Sequence, residues 1–323
     1  MEMNHILHQD FLNNNLPDKC AKLIIADPPY FQVKGKFDFI WKNIDEYLED
    51  VEKWAKECKR ILSDNGTLFW WGMDRKIAYS QIILDKHFEL LSTLVWEKPS
   101  IASEWETRRT FPERGQERIL MYANDWEHDA WRDTGWEKIK SRKDCFGSIK
   151  EYMRTERQKS GLSIKQLCDM TNTATSHYFS DSQYAFPTKA HYDILQSTGY
   201  FQKPYEELRL EYEELRLEYE EQRRCFNNYL KLTDVLRFSQ DHKRSKAKHD
   251  TPKPFKLTTA LMLTCSREND LVVVPFAGSG TECIVAKKEG RNFIGYEINE
   301  KHQQNAMKRI NETKRSTKLH PQW

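Results

Sequence analysis

Two short apolar runs, near opposite ends of the chain, each lead into an unusual turn. Lys22-Leu23-Ile24-Ile25-Ala26 enters Asp27-Pro28-Pro29-Tyr30, and Leu271-Val272-Val273-Val274 passes through Pro275 into Phe276-Ala277-Gly278-Ser279-Gly280-Thr281. Continuous apolar runs bounded by turn residues are the pattern of strands covered on both faces, as parallel strands are. Ligands of open parallel sheets bind outside the carboxyl ends of the strands. Two such strand tips, separated by most of the chain, predict an α/β, doubly wound fold with one site assembled from both ends.

The chain has 323 residues, enough for a full α/β domain plus a smaller insert. Its net charge of +2 announces no global basic field. Basic residues are locally concentrated at 241–249, at Lys138, Lys140, Arg142 and Lys143, and at Arg108, Arg109, Arg114 and Arg118. Such patches suit phosphate contact or an ordinary solvated surface. Seven cysteines include no Cys-x-x-Cys pair and no accompanying His pair. That spacing speaks against a zinc site, so no metal is expected, and the odd count speaks against a disulfide framework. The sequence shows no signal peptide and no long apolar run, so a cytoplasmic protein with no membrane partner is expected.

Residues 1–147 read as one half of the α/β core. Leu48, Val51, Trp54, Ala55, Cys58 and Ile61 have helical spacing within 44–62, and Asp64-Asn65-Gly66 reads as the stop. Strands are predicted at 67–71, 90–96 and 118–123. Residues 241–323 form the other half, with helices at 255–265, 281–289 and 301–309 and strands at 271–274 and 292–297.

Between them, residues 148–240 read as a helical insert. Ser163-Ile164-Lys165-Gln166 is a capping-box pattern. A helix at 163–170, a turn at Thr171-Asn172-Thr173 and a second helix at 174–179 have helix-turn-helix proportions. The second helix would present Ser176 and His177 to a DNA groove. Tyr205-Glu206-Glu207-Leu208-Arg209-Leu210-Glu211 recurs from Tyr212, with a degenerate copy from Tyr219. Tyr205, Leu208, Tyr212, Leu215 and Tyr219 then form one helical seam. It suits either a second copy of the chain, giving a homodimer, or the insert's own helices.

A strand, a Gly-x-Gly turn, a helix and a second strand ending in an acid form a nucleotide-cofactor pattern. The glycines let the backbone approach a ligand, and Glu297 can accept from ribose hydroxyls. The interval from Gly278 to Glu297 is close to the roughly 20 residues such an acid requires. The third glycine of a dinucleotide fingerprint is absent, which lowers the case for NAD and leaves S-adenosylmethionine as a natural alternative.

The Asp27 turn is more specific. Pro28 and Pro29 lack N–H donors and fix an extended backbone, leaving their carbonyls free to accept. Asp27 adds a carboxylate and Tyr30 a flat face. A planar arylamine, with two N–H donors, fits this set. Acceptors on those hydrogens build electron density on the nitrogen as it meets an incoming methyl group, which is transition-state stabilisation by placed charge. A base inside a duplex must first be rotated out of the stack, at about a few kcal/mol, and stacked on an aromatic. Tyr30 is the candidate stacker; Phe31 is equally suited to core packing.

These residues resemble the beta group of amino-methylating DNA methyltransferases, of bacterial restriction-modification systems or solitary type. The resemblance covers roughly residues 1–150 and 245–312, and implies a Rossmann-like methyltransferase sheet with a helical target-recognition insert. In that group the catalytic motif comes first and the cofactor motif last. Asp27-Pro28-Pro29-Tyr30 matches the catalytic motif, which implies that Asp27 and the Pro28 carbonyl meet the target amine. Phe276 to Thr281, including Gly278, Ser279 and Gly280, matches the cofactor loop. Glu297 matches the ribose-binding acid. His249-Asp250-Thr251-Pro252-Lys253-Pro254 resembles the segment lining the methionine end of the cofactor, which places Lys253 there. His8-Gln9-Asp10-Phe11 resembles the element at the cofactor's adenine, with Asp10 present and its preceding glycine absent. Trp96-Glu97-Lys98-Pro99 resembles a further family segment.

The family usually has Asp immediately before the Pro-Phe of the cofactor loop; this chain has Val274. The resemblance implies transfer of a methyl group from S-adenosylmethionine to adenine N6 in double-stranded DNA, with Arg108, Arg109 and Arg114 on the DNA. It leaves a cognate restriction endonuclease open as a partner, since the family includes restriction-modification and solitary types, and it implies a nucleoid-associated protein of a bacterium or phage. Transfer to cytosine N4 is the nearest alternative. A DNA-binding regulator with an impaired core is another, supported by Val274. Methylation of RNA or of a protein glutamine is a third, disfavoured by the helix-turn-helix pattern.

Overall fold

The computed structural model describes residues 3–32, 38, 40–73, 76–98, 115–124, 145–180, 184–228, 230–239 and 253–315. The chain divides into two compact units, Met1–Asp125 with Arg224–Trp323, and Trp126–Arg223.

The first unit is built on an eight-stranded sheet in the order β1-β8-β7-β2-β3-β5-β4-β6. The strands are β1 (His5–His8), β2 (Ala21–Ala26), β3 (Leu62–Gly72), β4 (Glu89–Glu97), β5 (Gln116–Ala123), β6 (Val235–Arg237), β7 (Leu271–Val274) and β8 (Asn292–Glu297). Only β5 runs antiparallel to its neighbours. The central pair is β2 and β7, parallel, with Leu23 opposite Val272 and Ile24 opposite Val273. From β7 the order runs outward through β8 to β1; from β2 it runs the other way, through β3. The reversal of strand order therefore falls between the two strands that carry the motifs.

Alternate residues of these strands feed two cores, one on each face. Helices α1 (Ile44–Ile61) and α2 (Lys76–Leu84) cover one, where Val51, Trp54, Ile61 and Leu84 join Ile24, Leu68 and Trp70. Three later helices cover the other, where Leu257, Leu261, Val285 and Ala306 join Leu23, Ile25, Phe69 and Val272. Each fully buried aliphatic side chain of this kind contributes about 1.5–3 kcal/mol. In α1 Asn43 caps the first turn by accepting from the Glu46 N–H, while Lys59 and Arg60 sit in the last.

The predicted helix stop at Asp64-Asn65-Gly66 instead lies within β3. Leu62 is already extended (φ −71°, ψ 127°), so the helix passes directly into the strand. The β2–β3 register shifts between Ala21 and Leu23. A Cβ at Gly66 would lie 2.5 Å from Leu62 Cδ1, so the glycine admits that buried side chain. Three elements had no sequence prediction: β1, α2 and the edge strand β6.

The second unit contains α3 (Gly147–Ser160), α4 (Ile164–Thr171), α5 (Lys189–Ser197) and α6 (Tyr205–Gln222) among the described residues. The capping box of Ser163 and Gln166 is present, and Asn172 ends α4 in the left-handed conformation. The predicted helix at 174–179 is instead one 3-10 turn, Thr175–Tyr178. Thr175 and Tyr178 are buried, Thr175 N–H donates to Cys168 Sγ, and the Ala185 N–H takes the His177 carbonyl at 3.2 Å. These contacts divert the backbone from a helical ladder. Ser176 and His177 are half-buried in that turn. In α6, Tyr205 and Leu208 are buried, Tyr212 stacks on Phe186 at 4.5 Å, and Leu215 packs on the same core. That length of the heptad seam is thus used within its own unit. The unit ends at Arg223; residues 224–239, predicted to lie in the insert, belong to the first unit, where Val235 pairs with Val95.

Candidate active site

The site begins where β2 ends. Tyr30 Oη donates to Asp27 Oδ1 at 2.5 Å, closing the turn over its two prolines. The carbonyls of Pro28 and Pro29 accept no hydrogen bond among the described residues. Asp38, 2% exposed, fixes the exit of the turn by accepting the Tyr30 N–H at 2.6 Å, while its carbonyl accepts the Gln32 N–H. Phe31 is buried and stacks on Tyr47 at 5.9 Å, which assigns it to the core.

The other oxygen of Asp27 is held by Lys253, which precedes helix α7 (Phe255–Cys265). Lys253 Nζ lies 2.8 Å from Asp27 Oδ2, 3.1 Å from Glu117 Oε2 and 3.2 Å from Tyr30 Oη. Glu117 Oε1 in turn meets Lys98 Nζ at 2.6 Å. The result is a row of alternating charge, Asp27–Lys253–Glu117–Lys98, with Lys253 and Glu117 buried and the two ends half-buried. Trp71 lies beneath Lys253, with its ring centroid 4.8 Å from Nζ, and the Tyr30 ring is 5.4 Å away. Burial alone would lower the Lys253 ammonium, but Asp27 and Glu117 outweigh it and raise it above the ordinary range. Burial likewise pushes the Glu117 carboxyl up, and the two lysines prevail and hold it down. Burial, with Asp27 and Glu117 nearby, raises the Tyr30 phenol well above normal, so Tyr30 stays a donor.

On the adjoining strand tip, Gly278 (φ 46°) and Gly280 (φ 73°) make the turn into helix α8 (Thr281–Lys288). A Cβ at Gly280 would stand 2.8 Å from Ala306 Cβ, on helix α9 (Glu300–Glu312), and at that φ only glycine is unstrained. Glu297, at the end of β8, accepts the Gly278 N–H on Oε2 and the Asn299 N–H on Oε1, each at 2.8 Å. Ser279 Oγ and Thr281 Oγ1 are 2.9 Å apart, and Arg309 Nη1 donates to the Ser279 carbonyl. Phe276 packs edge-on against Trp54 at 4.9 Å. Asp10 follows β1, which pairs with β8, and caps a short turn by accepting the Leu12 N–H at 2.9 Å.

Asp10, Asp27, Gly278, Gly280 and Glu297 thus all lie just beyond the carboxyl ends of neighbouring parallel strands. Ser176 and His177 lie in the second unit. Arg108, Arg109 and Arg114, with residues 249–252, lie outside the described residues. Among the described residues no group of three His, Cys, Asp or Glu side chains could hold a metal ion, and no helix is long and apolar enough to cross a membrane.

Besides Asp38, two acids escaped the sequence reading. Glu117 is one, a buried carboxylate between Gln116 and Arg118 at the start of β5. Glu282 is the other, at the second position of α8 and 5% exposed. Burial pushes its carboxyl up to about 7; its own backbone N–H opposes the rise, Asp27 adds to it, and Lys253 and Arg309 oppose it. An acid in the first turn of a helix reads as an ordinary dipole complement. Only its burial distinguishes it.

A family model described as DNA methylase matches residues 21–308. The chain belongs to the DNA methylase family. Among curated relatives, the type II methyltransferase M2.LlaDCHI of Lactococcus lactis subsp. cremoris is 38% identical over 331 residues, covering 95% of this chain and 88% of its own. Type II methyltransferase M1.MboII of Moraxella bovis is 35% identical over 311 residues, covering 93% of each. Among solved structures, TTHA0409 of Thermus thermophilus, complexed with S-adenosyl-L-methionine, has a TM-score of 0.52 at 16% identity. It covers 98% of this chain and 99% of its own, a likeness of fold.

Proposed function

We propose that this DNA methylase uses S-adenosylmethionine to methylate adenine N6 at a specific site in double-stranded DNA, with the motif order of the beta group. The observation that carries this reading is the pairing of the Asp27 turn with the glycine cradle on the two central strands.

The residues fit the cofactor. Gly280 seats the loop against Ala306 and Ile6 with no room for a Cβ, which fixes the turn's backbone, and Glu297 beside it keeps acceptor capacity beyond its two backbone donors. Asp10 lies at the tip of the strand beside β8, on the adenosine side. When bound, the cofactor supplies an electrophilic methyl on a sulfonium. The chain's own residues prepare the nucleophile. Asp27 and the Pro28 carbonyl would accept from the two amine hydrogens and so raise electron density on the nitrogen that receives the methyl group, and the proton this nitrogen loses would pass along its hydrogen bond to Asp27 and on to solvent. The Tyr30 ring has Lys253 near it, so the base stacks where that ammonium leaves a face free. The incoming amine takes Asp27 Oδ2 from Lys253, whose charge remains paired with Glu117.

The experiment is to express the chain in cells lacking DNA methylation and to map modified bases in their DNA. N6-methyladenine confined to one sequence context is the expected result. N4-methylcytosine instead would overturn the adenine assignment.

A further inference from the structure

We infer that Glu282 binds the ammonium of the cofactor's methionine end, a role for which the family's usual acid is replaced here by Val274. The inference rests on the S-adenosylmethionine reading of the crevice.

An ammonium held against the glycine loop and shielded from water needs an acceptor, because an unpaired buried charge is strongly disfavoured. The other acids near the strand tips already hold partners, and Asp27 and Glu297 are assigned to the base and the ribose. Asp10 holds the Leu12 N–H, Asp27 holds Tyr30 and Lys253, Glu117 holds two lysines, and Glu297 holds two backbone N–H groups. Glu282 is 5% exposed and has a hydrogen bond from its own backbone N–H, with none from another side chain and no ion pair among the described residues, so it is the acid of this set with the most acceptor capacity left.

Its position places it beside the glycine loop. Helix α8 opens directly from Gly280, and Glu282 is its second residue. The charged groups it feels are Asp27, on the turn after β2, Lys253, before α7, and Arg309, on α9. Two of the three belong to the catalytic row. Val274, 1% exposed, is the last residue of β7, so Val274 and Glu282 flank the same glycine loop. Moving a carboxylate from the strand tip to the first helical turn keeps it beside that loop.

A dipole complement does not explain the burial, since an exposed acid at the same position would serve the helix without desolvation. A visiting cation does explain it. Without one, burial holds the carboxyl protonated up to about 7. Binding the ammonium ionises it and releases a proton, so cofactor affinity rises with pH toward that value.

The test is calorimetric titration of the full-length protein at pH 7 with S-adenosylhomocysteine and with 5′-deoxy-5′-methylthioadenosine, which lacks the amino-acid end. Glu282→Gln, which keeps shape and volume, should weaken the first by about tenfold to a hundredfold, the loss of one charge-assisted hydrogen bond, and the second by less than about twofold. Adding Val274→Asp to that variant should restore much of the loss. Unchanged binding of S-adenosylhomocysteine, or equal weakening of both ligands, would overturn the assignment. Wild-type protein that bound neither ligand would instead sink the cofactor reading itself.

Discussion

Lys253 Nζ stands 2.8 Å from Asp27 Oδ2, so the carboxylate proposed to grip a base already grips a cation. A lysine ammonium and a base amine both offer N–H donors to the same oxygen. Lys253 keeps the carboxylate aimed until substrate arrives, and Glu117, 3.1 Å away, receives the displaced charge.

Removing one member of this row should therefore be costly. Lys253→Met leaves Asp27 and Glu117 facing each other's field without the cation between them, and should destabilise the protein by about 3–5 kcal/mol. Adding Glu117→Gln should recover part of that loss, because it removes one of the stranded charges. Urea unfolding of the two single variants and the double variant checks this through their non-additivity. Strictly additive effects would mean that the pair is not coupled.

At the cofactor loop the backbone carries the burden. Gly280→Ala combines φ 73° with a Cβ 2.8 Å from Ala306, and should lower stability by roughly 1–3 kcal/mol and cofactor affinity with it. Glu297→Ala leaves the Gly278 and Asn299 N–H groups without their acceptor and removes the proposed ribose contact. Its effect should fall more on cofactor affinity than on melting temperature. Thermal melts with and without S-adenosylhomocysteine separate the two cases.

Glu282 makes unliganded stability depend on pH. Its pKa rises on folding from the ordinary 4.5 to about 7, so between those values the folded state binds more protons than the unfolded one. Stability from this group is complete below about 4.5 and declines as pH rises through about 7, by on the order of 3 kcal/mol in all. Glu282→Gln should flatten this part of the profile. Unfolding free energies at pH 5, 6, 7 and 8 measure it, and the same slope in wild type and variant would assign it elsewhere. Saturating cofactor should reduce the slope, because the bound ammonium keeps Glu282 ionised.

Replacing Arg108, Arg109 and Arg114 with Ala should weaken DNA binding and reduce its salt dependence. Every phosphate left unneutralised lowers the slope of log K against log salt by about 0.9. Binding isotherms at several salt concentrations read the slope, and no change would place these residues away from the DNA.

The parts of the site legible in the sequence are those written locally. The β2 and β7 runs, the glycine loop, Glu297 and the α1 stripe each declare themselves within a few residues. Helix α4 also declared itself, through Ser163 and Gln166. Contacts between distant segments were not legible. Glu117 and Lys253 are 136 positions apart (253 less 117) and are joined only by folding. Strand β1 has a single buried residue, Ile6, and owes its strand character to pairing with β8. Asp38 shapes the catalytic turn through one side-chain acceptor on the Tyr30 N–H. The 3-10 turn at Thr175–Tyr178 replaced a helix because Cys168 and Ala185 compete for its backbone groups. Propensity alone does not register that competition.

Methyl transfer itself is the most direct test. Purified protein, methyl-labelled S-adenosylmethionine and bacterial DNA are incubated, and the DNA is digested to nucleosides. The account predicts label in N6-methyldeoxyadenosine from the wild type. For Asp27→Ala it predicts a drop on the order of 10²–10³-fold or more, with cofactor affinity within about threefold of wild type. Wild-type protein that binds the cofactor normally yet leaves no label in DNA would contradict it.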